Sequence, residues 1–104
     1  MEETSTNASR EVGGLAFAVD EGARSSWDAV MLARDINRAR LRYEAGGEGA
    51  SEAAIDAMAL SMEYVMMTTD LTRERLSAHL GAGASFADVS AWLGQAIGAI
   101  ASKN

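Results

Sequence analysis

Arg34, Arg38, Arg40 and Arg42 crowd into nine residues. The stretch that follows, from Tyr43 to Thr72, has six carboxylates (Glu44, Glu48, Glu52, Asp56, Glu63 and Asp70) and no basic residue. On a helix, at ~100° per residue, Arg34, Arg38 and Arg42 share one i, i+4, i+8 stripe, while Glu52, Asp56, Glu63 and Asp70 fall within an arc of roughly 40°. A guanidinium pairs with a carboxylate or phosphate through a planar fork, and Trp27 and Met31 on the arginine side add the apolar contact that such pairs use at interfaces. Trp27, Met31, Arg34, Arg38, Arg42, Glu52, Asp56, Glu63 and Asp70 are therefore the candidate partner-binding residues. Asp35, Glu44 and the acidic segment can equally neutralise the arginines within the chain.

The same carboxylates are poorly spaced for metal chemistry. A di-iron bundle needs Glu-x-x-His pairs, whereas this chain has a single histidine, His79, with Leu76 three residues before it. No loop has the closely spaced oxygen ligands of a calcium hand, and with no cysteine there is neither a thiol nucleophile nor a Cys/His zinc site. The glycines at 46 to 49 and 81 to 83 lack the preceding strand and following Lys-Ser/Thr of a phosphate loop, so they read as helix stops. No metal, cofactor or catalytic residue is expected, and the chain is read as non-enzymatic.

Composition narrows the class further. The chain has 104 residues, a net charge of −6 and a 48% hydrophobic share that is rich in alanine and poor in aromatics, so a lone copy has a thin core. The acidic balance opposes nucleic acid and anionic lipid and suits a partner with a basic surface. No signal-like start and no membrane-length apolar run is seen, so the expectation is a cytoplasmic protein without a membrane span.

With no proline and abundant alanine and leucine, the pattern predicts an all-α fold in which no stretch alternates as a strand would. Three principal helices are expected, at about 26–44, 51–80 and 85–101, as a helical hairpin plus a third packing helix; Thr68, Thr69 and Asp70 are mediocre helix formers and good caps, so the second is read as one long helix, with a bend or a division into two at that point as the alternative. Residues 1–12 are expected to be a disordered N-terminal arm, and 13–104 a single helical domain. Leu15 to Val19 is either a brief helix or an extended arm. Ser25 or Ser26, Ser51, and Ser85 with Asp88 supply the caps, and the two glycine clusters the stops.

Both long helices have two apolar faces. In the first, Ala29, Leu32, Ala33, Ile36, Ala39 and Tyr43 lie opposite Trp27, Val30, Met31 and Leu41. In the second, Ile55, Met58, Ala59, Met62, Val65, Met66, Thr69 and Leu76 form the main buried face, with Leu60, Tyr64, Met67 and Leu71 on another. The third helix has a core face of Phe86, Val89, Leu93, Ala96, Ile97 and Ile100 and a small-residue face of Ala87, Ala91, Gly94, Gly98 and Ala101. These surplus faces predict a homodimer.

Residues 71–93, with Leu76, Ala78 and Leu80 before the Gly81 turn and Val89, Ser90 and Trp92 after it, resemble the helix-turn-helix of small DNA-binding repressors. The resemblance covers under a quarter of the chain. It implies a nucleic-acid-binding regulator, although the turn is about two residues long for the motif and the second helix has Asp88 but no arginine or lysine. The leading expectation is an acidic, helical protein-binding module (adaptor, assembly subunit or inhibitor of another protein), with the nucleic-acid regulator as the alternative.

Overall fold

The computed structural model describes residues 7–81 and 83–102. It is mostly helical, as the composition predicts, but it also holds a small antiparallel sheet. Strand β1 (Asn7–Val12) pairs with β2 (Leu15–Asp20), and there follow a single-turn helix α1 (Glu21–Arg24), α2 (Trp27–Ala45), α3 (Ala50–Thr68), α4 (Arg73–Leu80) and α5 (Phe86–Ala101).

The hairpin corrects the expectation of an all-α chain with a disordered arm reaching residue 12; residues 1–6 of that arm lie outside the described residues. Gly13 and Gly14 form its two-residue turn, both at positive φ, which is the conformation such a turn needs. In β2 the large residues Phe17 and Val19 point inward and are buried, while the alternate positions are alanines, so a period-two pattern is disguised as an apolar run. The polar β1 is held through its own Arg10, which reaches the remote end of α5. Arg10 donates from Nε to the Ala99 carbonyl at 2.8 Å and from Nη2 to that of Ser102 at 2.7 Å.

The expected helix at 51–80 is two helices. α3 stops at Thr68, and Thr69 forms an antiparallel bridge with Val19. The buried hydroxyls of Thr68 and Thr69 donate to the carbonyls of Tyr64 and Val65 at 2.8 and 2.6 Å. Asp70 then accepts from the Ala18 N–H through Oδ1 at 2.9 Å and donates its own N–H to the Ala18 carbonyl at 3.1 Å. The outer edge of β2 is thus paired by a segment that would otherwise continue the helix. Thr72 caps α4.

Ser26 and Ser85 cap α2 and α5, each accepting an N–H three residues on. Ser51 does not cap α3, which instead starts from Gly49 at φ +92° with no side-chain cap. The α2–α3 hairpin is joined through alanines: Ala29, Ala39 and Ala53 are all buried, and short side chains let helix axes approach. The buried side of α3 is accordingly Ala53, Ser61, Tyr64, Val65 and Thr68, and Ile55 and Ala59 of the expected core face are exposed. One cluster including Phe17, Val19, Leu32, Val65, Leu76, Leu93 and Ile100 unites the hairpin and helices α2 to α5.

Candidate protein-binding surface

The arginine stripe lies on the outward side of α2. Trp27 is 74% exposed and is joined there by Val30 at 54% and Leu41 at 52%, while Met31 is half-buried. Arg34 pairs with its neighbour Asp35 and Arg42 crosses to Asp56 of α3, both at 3.4 Å and both well exposed. Such exposed pairs contribute little stability. Arg38 makes no hydrogen bond or ion pair among the described residues. Internal neutralisation therefore reaches Arg34 and Arg42 and leaves Arg38 and Trp27 facing outward.

The predicted acidic stripe divides. Glu52 and Glu63 are exposed on the outer side of α3 and make no ion pair among the described residues, and Ile55 between them is 56% exposed. Asp56 turns toward Arg42. Asp70 is separated from the others by the end of α3; besides its bonds to Ala18 it lies 3.8 Å from Arg75, which itself donates to the Ala16 carbonyl at 3.0 Å. Asp70 and Arg75 thus fasten the edge of β2. A shallow groove between α2 and α3 joins Asp35, Arg38, Arg42 and Asp56.

On the other side of the α2–α3 hairpin lies a larger feature. α2 and α5 form the walls and α3 the floor of an open trough of about 610 Å³, lined by Ile36, Tyr43, Met58, Phe86, Leu93 and Ile97 among small residues. Tyr43 is 54% and Phe86 45% exposed at its mouth. Arg40 is the charged residue of the lining; it donates to Asn37 Oδ1 at 2.6 Å. Its α2 wall comes from Ala33, Ile36 and Tyr43, part of the face expected to be core, and its α5 wall includes Ala87 and Gly94 of the small-residue face. Adding a Cβ at Gly94 or Gly98 would meet nothing within 4 Å, so that small-residue face is open, with no other backbone packed on it.

Trp92, absent from the expected core face, is buried and donates from Nε1 to the Val12 carbonyl at 2.9 Å. Its indole fits because Gly13 has no Cβ, which would come within 3.1 Å of the ring. His79 is exposed beside it, with ring centroids 6.3 Å apart. Among the described residues no three Asp, Glu or His side chains converge as a metal site, and no helix is long and apolar enough to cross a membrane. In the segment resembling a helix-turn-helix, α5 buries Trp92, Leu93, Ala96 and Ile100 and offers Ala87, Asp88, Ala91, Gly94 and Gln95 outward, a face without a cation for phosphate.

No known protein family, characterised protein or solved structure matches this chain.

Proposed function

We propose that the protein is a non-enzymatic, acidic, helical protein-binding module that works as a homodimer and acts on another protein as an adaptor, assembly subunit or inhibitor. The observation that carries this reading is the exposure, above one half in each case, of Trp27, Val30, Leu41 and Ile55 among charged residues on the outward faces of the two longest helices. A chain with few large apolar side chains that leaves four of them in water is suited to meeting a second surface, and aromatic residues beside arginine dominate the energetics of such contacts. Glu52 and Glu63 beside Ile55 suit a partner whose surface is basic, and attraction of that kind speeds encounter and weakens with salt.

The test is affinity capture from the native cell with the wild type and with two variants, Trp27→Ala and Glu52→Lys/Glu63→Lys. Each variant retains the helical circular dichroism of the wild type and loses a captured protein, and the capture lost by the second is the part that weakens with salt in the wild type. Identical capture by all three chains would remove these surfaces from consideration.

A further inference from the structure

The trough and the outward edge of α2 are complementary to one another, and within one copy they cannot meet. Arg24, just ahead of α2, donates to the Ile100 carbonyl near the end of α5 at 2.7 Å, and Tyr43 and Phe86 line the same trough from the other ends of these helices. α2 and α5 are therefore antiparallel: Leu41 lies level with the first turns of α5 and Val30 with its last. Val30 and Leu41 are eleven residues apart on one edge of α2, and Ala87 and Gly98 are eleven apart on one edge of α5. Both edges span three turns, one with large exposed apolar side chains and the other with almost none.

We propose that a second copy of this chain closes the trough, the two related by a two-fold axis running along the helices. This rests on the reading of the protein as a self-associating binding module and assigns its self-contact to this site. Rotation about such an axis keeps every residue at its height, so each α2 meets the second copy's α5 in the antiparallel register already set within one copy. Val30 and Leu41 then lie over Ala87, Ala91, Gly94 and Gly98, where the open space above the glycines receives them.

Charge supports a second copy over a foreign chain. Arg38 flanks Leu41 on the outer side, and Asp88, exposed in the first turn of α5, lies about one turn away in height, within an arginine's reach. Neither makes an ion pair within its own chain among the described residues. The lining of the trough includes no carboxylate, while Glu52 and Glu63 are on the far side of α3. For a chain of net charge −6, closure on this face brings no lining carboxylates of the two copies together. A two-fold axis running across the helices would instead set α2 on α2 and bring Arg34 and Arg38 of both copies together.

Light scattering and sedimentation of the full chain at micromolar concentration test the assignment. The wild type is a dimer. Gly94→Trp and Gly98→Trp are monomers that melt no lower than the wild type freshly diluted to monomer, because the new side chains enter open space. Arg38→Asp and Asp88→Arg each weaken dimerisation about tenfold, since an exposed pair is made twice across a two-fold, and the combined swap restores it. A dimer indifferent to Gly94→Trp, or a swap that does not restore, overturns the proposal. A monomeric wild type that still captures a partner through Trp27, Glu52 and Glu63 overturns the second-copy site and leaves the binding-module reading standing. Dimers broken by the glycine variants, in a protein that captures nothing, support the second-copy site and overturn the reading of a module that acts on another protein.

Discussion

Two tryptophans and one tyrosine show how much a single side chain's role depends on partners far away in sequence. Trp27 and Trp92 are indistinguishable by local pattern, yet the first is 74% exposed and the second is buried with its N–H on the Val12 carbonyl. Only the presence of β1 decides between them, and β1 was not legible. Tyr64 is buried on α3, and burial raises its phenol above the ordinary value, with the Arg24 guanidinium pulling partly back. In the unfolded chain the phenol ionises near pH 10, whereas the folded chain keeps its proton to higher pH. The folded state therefore holds more protons in that window, and stability falls as pH rises from about 10 through the folded value. Tyr64→Phe should flatten this loss: thermal melts of wild type and variant should agree below about pH 9 and diverge above pH 10, with the wild type the less stable.

At the scale of elements, caps and stops were read from local chemistry and pairings were not. Ser26, Ser85, Gly46 and Gly81 mark helix ends where expected because each acts on its own turn. The division of 51–80 into α3 and α4 was only half legible: Thr68, Thr69 and Asp70 are weak helix formers that mark a candidate break, but what makes the break is pairing with Val19 and Ala18, some fifty residues upstream. The end of α5 follows the same rule. Its last turn has no basic residue, and the carbonyls of Ala99, Ile100 and Ser102 are bonded instead by Arg10 from β1 and Arg24 from α1. These are charge-assisted bonds to groups that the helix cannot satisfy itself. Arg24 also pairs with Glu21 and is largely covered, its side chain 17% exposed. Arg24→Met should lower stability by about 1–2 kcal/mol in urea unfolding, with the apolar stem retained so that the loss reports the hydrogen bonds. An unchanged midpoint would show that water replaces the guanidinium at no cost.

For the molecule as a whole, the segregation of charge was legible and its placement only partly so. Counting along the chain located an arginine row and an acidic row; the fold sets the arginines on α2 and Glu52, Asp56 and Glu63 on α3, with Arg42 to Asp56 the crossing pair among the described residues, and takes Asp70 to the edge of β2. The trough escaped because it belongs to three helices at once: its width comes from alanines and glycines whose significance appears only when α2 and α5 stand on either side of α3. That geometry is what gives the exposed ridge of α2 a counterpart, and it turns the general expectation of surplus apolar faces into a specific pairing of surfaces.

Arg10 and Arg24 have a further consequence for connectivity. By gripping the last turn of α5 they bring β1 beside Ser102, while the exposed link at 46–49 has open space around Gly46, Gly47 and Gly49. A circularly permuted gene, with a flexible linker joining Ser102 to Asn7 and new ends opened at Gly47, should yield a protein with the same far-ultraviolet spectrum and a cooperative melt. The order in which the ribosome delivers the pieces would then be interchangeable, because guanidinium clasps and not chain continuity keep β1 and the end of α5 together.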